Sequence, residues 1–168
     1  SVASSQYGGQ SVDIRHLGKY LRKSYNKYKN KLVEEFGDKI DDAILEQMAQ
    51  DRLQDELRSG VQTIQYQINT LMTTNGQSPF VTLFLNLDPN DEYIEENAII
   101  VEEILRQRLE GIKNEKGVYV TPAFPKLIYV LDEHNCLKGG KYGKSTVYDF
   151  RCIQHGKCGI ACIALLGR

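Results

Sequence analysis

Apolar residues recur every three or four positions along the first long stretch of the chain. They are Leu17, Leu21, Tyr25, Tyr28, Leu32 and Phe36. This spacing puts them on one side of an α-helix, the side that must be buried. Gly37 predicts the end of that helix, because glycine accepts the left-handed conformation found at many helix ends.

A second, longer helix is predicted to follow, with Asp38 as its candidate N-cap. Its apolar side is formed by Ile40, Ile44, Met48, Leu57, Val61, Ile64, Ile68 and Leu71. Gly60 interrupts this series and is a possible kink or boundary. The polar residues 73–76, Thr-Thr-Asn-Gly, predict a loop at the end of the helix.

The pattern then changes from helix to strand. Residues 80–87, FVTLFLNL, form a short apolar run that is rich in β-branched and aromatic residues, which predicts a buried strand. A third helix is predicted from a cap near Asn90 or Asp91 until Gly117 and Pro122 end it. Its apolar face would carry Ile94, Ala98, Val101, Leu105 and Ile112.

Residues 126–131, KLIYVL, predict a second buried strand. Strand, helix and strand at this spacing form a βαβ unit, so the two strands should be parallel neighbours. The predicted fold class is therefore α/β and helix-rich. From about Gly139 the chain becomes rich in glycine, and residues 152–168 follow neither period. We divide the chain into residues 1–142 and a tail, residues 143–168, whose place in the fold the pattern does not predict.

Composition narrows the class of protein. The chain has 168 residues, of which 41% are hydrophobic and 26% charged, as in an ordinary globular domain. No apolar run is long enough to span a membrane, and the first ten residues lack the features of a secretory signal. The net charge of −1 gives no general attraction to nucleic acid or membranes. Four cysteines do not make a disulfide framework at this length, which favours a reducing cytoplasm.

Basic residues repeat every four positions on the first helix. They are Arg15, Lys19, Lys23, Lys27 and Lys31. One interpretation is a site for a phosphate-bearing ligand or an acidic partner. The other is a solvent-exposed face whose charge is balanced by acidic residues close by in the sequence, namely Glu34, Glu35, Asp38, Asp41 and Asp42. Direct nucleic-acid binding is not expected, because aromatic residues are not interleaved with the lysines.

Two further groups of residues could carry chemistry. Residues 4–11, SSQYGGQS, predict a polar, glycine-containing loop that leads into the first helix and could hydrogen-bond a ligand or merely cap that helix. The three cysteines of the tail, Cys152, Cys158 and Cys162, do not have the paired spacing of zinc ligands, so no metal site is predicted. Cys136 lies beside His134, but no third orienting group is evident, and no catalytic set can be proposed.

Three segments together resemble a known family. They are SQYGGQS at 5–11, QTIQYQINTLMTTNGQSPFVTLFLNL at 62–87 and FPKLIYVLDE at 124–133. They are similar to the core of the anaerobic, class III ribonucleoside-triphosphate reductases, which are glycyl-radical enzymes. The resemblance covers residues 1 to about 142. It implies part of a ten-stranded α/β barrel that is built from two half-barrels around a finger loop.

The resemblance also implies a chemistry. In this family a glycyl radical passes to a cysteine that abstracts hydrogen from the substrate ribose, and formate commonly serves as the reductant. A partner activase installs the radical with S-adenosylmethionine and an iron–sulfur cluster, a C-terminal ribbon holds zinc, and the full enzyme would be a homodimer. No Gly-Cys-Arg finger-loop motif, radical glycine motif or zinc-ribbon CxxC pair is present in these 168 residues.

No catalytic residue is therefore assigned, and the chain alone is expected to be an inactive fragment of the large subunit, truncated or recombined. The candidate substrate-binding residues are Ser4, Ser5, Gly8, Gly9, Gln10, Ser11, Asn75 and Gln77. Their ligands would be ribonucleoside triphosphates. The alternative function is a non-catalytic module that binds a nucleotide or an acidic partner through the basic residues of the first helix.

Overall fold

The computed structural model describes residues 9–37, 40–70, 80–113, 116–122, 124–131 and 160–164. Strand β1 spans Gly9–Asp13, and a short 3-10 helix, Ile14–Leu17, leads into helix α1, Gly18–Phe36. Helix α2 spans Asp42–Thr70, β2 Phe80–Leu85 and α3 Ile94–Glu110. Strands β3, Ile112–Lys113, and β4, Tyr119–Val120, precede β5, Lys126–Leu131, and β6, Ile160–Ala164.

The main sheet has four parallel strands in the order β1-β2-β5-β6. Gly9 pairs with Phe80 and Leu83 pairs with Leu127, which sets the register across the first three strands. The predicted βαβ unit is confirmed, because β2, α3 and β5 form it. Strands β3 and β4 form a small antiparallel pair of their own.

The β1–β2 connection contains α1 and α2, and the β2–β5 connection contains α3. Parallel neighbours are almost always joined by right-handed crossovers, so these two connections are expected on the same face of the sheet. The hydrophobic core is consistent with helices on one face, because a single cluster joins side chains of β2, β5 and all three helices. Leu85, Leu127 and Tyr129 are almost fully buried in it. On the other face, Phe84 and Ile128 are only half-buried. The helices therefore cover one side of the sheet.

The first helix ends as predicted. Gly37 has a φ of 51° and donates its backbone N–H to the carbonyl of Val33. Leu21 and Leu32 are buried, as the apolar spacing requires, whereas Leu17 lies in the 3-10 helix and is 39% exposed.

The second helix departs from its prediction in two ways. Asp38 lies outside the described residues, and the helix begins at Asp42 and runs through Gly60 without a boundary. Its buried side is Leu45, Ala49, Leu53, Val61 and Gln65. Ile44 and Ile64, which were predicted to be buried, are 53% and 40% exposed. The reason is that Leu45 and Ala49 pack against Leu32 of α1 and turn that side of the helix inward.

The third helix ends earlier than predicted. Gly111, with a φ of 77°, donates its N–H to the carbonyl of Gln107 and closes the helix there, so the prediction that Ile112 continues it is wrong. A side chain at Gly111 would come within 2.9 Å of the carbonyl oxygen of Val120, so the β3–β4 pair also needs a glycine. Among the described residues, no helix has the length and apolar character that crossing a bilayer requires.

Two strands of the main sheet were not predicted. Residues 9–11 were expected in a loop but begin β1, and β6 lies in the tail for which no structure was predicted. Strand β1 is hard to recognise because Val12 is its one large apolar residue and is itself 41% exposed. Its hydrogen bonds to β2, rather than buried side chains, place it in the sheet.

Candidate functional site

The described candidate residues lie where β1 begins. Gln10 pairs with Val81 and Ser11 with Thr82, and both polar side chains are exposed. Ser4, Ser5, Gly8, Asn75 and Gln77 lie outside the described residues, so their grouping stays a prediction. Gly9 and Phe80, however, are paired in the sheet. The two candidate segments therefore join the described chain at neighbouring strand ends.

A cavity of about 260 Å³ opens beside Gln10, between α2 and the β1–β2 side of the sheet. Ten of its fourteen lining residues are apolar, including Val61, Ile68 and Val81. The polar ones are Gln10, Gln65, Gln67 and Arg108. Such a cavity suits a flat, largely apolar group whose edge can hydrogen-bond to amides.

Arg108 is 2% exposed and is occupied with the protein's own backbone. Its guanidinium donates to the carbonyl oxygens of Pro122 and Pro125, the residues that precede β5. Asn69 of α2 donates to the neighbouring carbonyl of Phe124 at 3.2 Å. Arg108 therefore positions the entry to β5, and the glutamine amides are what a ligand in the cavity would meet.

A second polar cluster lies at the opposite, carboxyl ends of β1 and β2. Asp13 accepts hydrogen bonds from the backbone N–H and the Nε of Arg15 at 2.9 and 2.8 Å. Arg15 also lies 3.6 Å from the carboxylate of Asp88. The hydrogen bond to Asp13 raises the pKa of Arg15, against the opposing effect of burial. Arg15 is thus a fixed cation that ties the two strand ends together.

Asn97 joins this cluster to helix α3. Its Nδ2 donates to Asp91 at 2.9 Å and to the carbonyl oxygen of Arg15 at 3.4 Å. Its side chain is 1% exposed and lies against Gly18, where a Cβ would be 2.7 Å from Asn97 Oδ1. Asp91 also accepts a hydrogen bond from the backbone N–H of Tyr93. These contacts fix the angle between α1 and α3. The prediction of a cap at Asn90 or Asp91 is wrong, because Tyr93 is the N-cap of α3 and makes no side-chain capping hydrogen bond.

Arg22 makes a second link between α1 and α3. Its guanidinium donates to Glu96 at 2.5 and 3.0 Å, and to Glu92 at 3.0 Å, and it lies 4.4 Å above the ring of Tyr93. Burial by itself raises the pKa of Glu96, but the hydrogen bonds from Arg22 and the backbone, together with the charge of Arg22, lower the pKa overall. The pair is therefore ionised and holds the helices together.

The predicted basic row on the first helix does not include Arg15. Arg15 belongs to the Asp13–Asp88 cluster in the 3-10 helix, whereas Lys19, Lys23, Lys27 and Lys31 remain as an exposed row along α1. Among the described residues, none of these four lysines has a carboxylate within 4.0 Å. They form the solvent-exposed face of the second interpretation, and its charge balance by nearby acids stays a prediction, since Asp38 lies outside the described residues. Glu35 instead pairs with Arg52 of α2.

The structure describes little of the cysteine chemistry. Cys136, Cys152 and Cys158 lie outside the described residues, and Cys162 is described only as a backbone position of β6. In the part of the chain that is described, no group of three or more His, Cys, Asp or Glu residues could hold a metal ion.

Sequence reasoning missed the roles of Gln65, Asn97 and Arg108. Each is a polar residue on the buried side of a helix, where it is at most 6% exposed. The positions of two of them could have revealed their burial, because Asn97 and Arg108 lie beside the predicted apolar stripe of the third helix. A polar residue buried in this way must have hydrogen-bond partners.

A family model described as anaerobic ribonucleoside-triphosphate reductase matches residues 1–159. The chain belongs to this family. It is 39% identical over 142 residues to the anaerobic ribonucleoside-triphosphate reductase of Escherichia coli K12, an alignment that covers 82% of this chain and 18% of that protein. It is 32% identical over 135 residues to the protein of the same name from Enterobacteria phage T4, covering 79% of this chain and 20% of that protein.

The reductase of Salmonella typhimurium LT2 is 37% identical over 133 residues, which cover 77% of this chain and 17% of that protein. The resemblance found in the sequence is thereby confirmed. The chain spans about a fifth of the length of these relatives. Its structure is that of a helix-rich α/β segment with a parallel sheet, as the predicted fold class required.

Proposed function

We propose that this chain is a section of the large subunit of an anaerobic ribonucleoside-triphosphate reductase, which converts ribonucleoside triphosphates into deoxyribonucleotides. The observation that carries the proposal is the family match over residues 1–159. The predicted absence of activity in the 168 residues alone follows from the missing cysteine and glycine motifs.

The section would be part of a ten-stranded α/β barrel. The consecutive order β1-β2-β5-β6 supports this proposal, because a closed barrel has its helices on the outside of every strand pair. The half-buried face that carries Phe84 and Ile128 would then point to the barrel interior.

Within that barrel, the start of β1 and the segments leading into β1 and β2 would line the nucleotide pocket. Gln10 and Ser11 offer an amide and a hydroxyl at exposed positions, and both groups can donate and accept hydrogen bonds. Ser4, Ser5, Gly8, Gly9, Asn75 and Gln77 complete the proposed set. Arg108 would act as a positioning residue for the β5 end of this region.

The radical chemistry would lie outside the described residues. The zinc would be held by the family's C-terminal ribbon, whose CxxC pair does not occur in these 168 residues. The glycyl radical, formate as reductant, the S-adenosylmethionine-dependent activase and homodimer formation are proposed for the complete enzyme in the cytoplasm. The part played by this chain is to bind and orient the nucleotide and to shape the barrel wall.

A segment exchange tests the proposal. The matching segment of the Escherichia coli relative is replaced by the corresponding residues of this chain, and deoxyribonucleotide formation is measured after anaerobic activation. We expect activity from the chimera and none from the 168-residue chain alone. Measurable deoxyribonucleotide formation by the chain alone would refute the assignment of the chemistry to other parts of the enzyme.

Binding of the nucleotide is tested in the same chimera. Replacing Gln10 with alanine removes one hydrogen bond, so KM for the ribonucleotide should rise roughly two- to tenfold with little change in kcat. The exposed Gln47 of α2 is far along the helix from the cavity-lining residues, and Gln47→Ala serves as the matched control. An unchanged KM for Gln10→Ala would remove Gln10 from the proposed set.

A further inference from the structure

Helix α1 carries an exposed row of positive charge along its outer side. The row consists of Lys19, Lys23, Lys27 and Lys31, hereafter the lysine ridge. Because residues four apart are separated by about 6 Å along a helix, the ridge extends over roughly 18 Å. Four residues exceed one helical turn by about 40°, so the evenly spaced ridge winds gradually around one rigid element.

The other basic residues that lie near this face are used within the molecule. Arg22 bonds to Glu96 and Lys29 lies 3.2 Å from Glu46. The four ridge lysines, in contrast, lie farther than 4.0 Å from every described carboxylate. Their charge is therefore not neutralised by the described part of the chain and is available to a partner.

An exposed aromatic side chain lies at the amino-terminal end of the ridge. Tyr20 is 55% exposed, and the ammonium groups of Lys19 and Lys23 lie 5.0 and 5.9 Å from its ring centroid. The ring holds these two lysines near the helix surface without cancelling their charge. Tyrosine is one of the residue types enriched in protein interfaces, so Tyr20 adds an apolar contact beside the charges.

We propose that the lysine ridge docks another protein, which presents a helix with carboxylates four residues apart. Such a helix repeats its charges at the same interval of about 6 Å and winds them by the same angle, so neighbouring ammonium groups can face successive carboxylates where the two helices cross. A nucleic acid fits less well, because the exposed Glu34 beside the last ridge lysine would repel a phosphate backbone that continues past it, whereas an acidic helix can end there. A single tyrosine also cannot stack successive bases.

The test uses the complete 168-residue chain and a fluorescent helical peptide with four glutamates spaced four residues apart. Binding is followed by anisotropy at low salt and at about 0.15 M salt, where the Debye length is about 8 Å. We expect the glutamate peptide to bind, its glutamine counterpart not to bind, and the affinity to fall as salt is raised. Equal binding of both peptides would overturn the proposal.

Two variants with the same net charge separate the ridge from general electrostatics. Lys19→Gln, Lys23→Gln and Lys27→Gln together should weaken binding about tenfold, because each exposed ion pair contributes roughly twofold. Lys113→Gln, Lys116→Gln and Lys126→Gln together remove the same charge from positions outside α1 and should leave affinity within about twofold. Equal losses in the two variants would refute a docking site on α1.

A single-stranded oligonucleotide of similar charge is the competing probe. We expect the oligonucleotide to bind more weakly than the glutamate peptide. Its affinity should be the same for both triple variants. Tighter binding of the oligonucleotide, lost only in the ridge variant, would replace the proposed protein partner with a nucleic acid. Circular dichroism of both variants should match the unsubstituted chain, since all substituted side chains are exposed.

Discussion

Replacing Gly18 with alanine should destabilise the fold, although alanine is the better helix former. Gly18 is the first residue of α1, has helical dihedral angles and is buried. A Cβ at this position would lie 2.7 Å from both Asn97 Oδ1 and the Cβ of Tyr93. Real side chains do not come that close, so α1 would have to move away from α3.

The size of the effect follows from two opposing contributions. Alanine in place of glycine inside a helix stabilises by about 0.5–1 kcal/mol. Overpacking a close contact costs about 1–3 kcal/mol, and neither contacting atom can move freely here. The Cβ of Tyr93 is fixed to the backbone just before α3, and the Asn97 side chain is 1% exposed and held by Asp91. The net loss should be about 1–2 kcal/mol, with some disturbance of the hydrogen bond between Asn97 and Asp91.

Gly60→Ala is the matched control, because Gly60 lies within α2 and a Cβ there meets nothing within 4 Å. It should stabilise by about 0.5–1 kcal/mol. Both variants are compared with the original chain by urea unfolding followed at 222 nm, as a shift of the midpoint at constant slope. A Gly18→Ala variant as stable as Gly60→Ala would refute the close approach of α1 and α3.

Further expected outcomes concern the buried polar contacts. Arg108→Met should lower the free energy of unfolding in urea by about 2–4 kcal/mol, because it leaves the carbonyls of Pro122 and Pro125 without this donor. A loss below about 1 kcal/mol would contradict the positioning role of Arg108. Glu96 has a folded-state pKa below its ordinary value of 4.5, so it adds stability above that pH and loses it as the pH falls through the folded-state pKa. Glu96→Gln should therefore flatten the acid limb of stability against pH, and an unchanged slope would show that the ion pair with Arg22 does not form.

The parts of the fold that follow from apolar patterning were predictable from sequence. The βαβ unit of β2, α3 and β5 is one, since each strand is a continuous apolar run and the helix has a clear stripe. The end of α1 at Gly37 is another. Both are local consequences of side-chain periodicity and glycine conformation.

Other parts depend on contacts that no local pattern carries. Strand β1 joins the sheet through backbone pairing with β2, and its sequence GQSVD has little apolar character. The buried side of α2 is set by its packing on α1, which exposes Ile44 and Ile64. Helix α3 ends at a local glycine cap, but the need for glycine at Gly111 is also tertiary, because a Cβ there would meet the carbonyl oxygen of Val120.

Some residues of the candidate site were predicted from the sequence, and others were not. Gln10 and Ser11 are exposed at the start of β1, next to β2, but in a strand rather than in a loop. Arg108 and Gln65, which lie around the adjacent cavity, could not be singled out, because their roles arise from distant backbone atoms and from the sheet. The lysine ridge was visible in the sequence, whereas the pairing of Arg15 with Asp13 and Asp88 was not.

Deoxyribonucleotide formation by the segment-exchange chimera is the most direct test of the central claim. The chimera is compared with the Escherichia coli relative and with a second chimera that carries Gly18→Asp. This substitution should disrupt the contact between Gly18 and Asn97. We predict a kcat within about tenfold of the parent for the chimera, equivalent to about 1.4 kcal/mol, and a much lower yield of active protein for the variant. A correctly folded, activated chimera that forms no deoxyribonucleotide would contradict the proposed role of this chain.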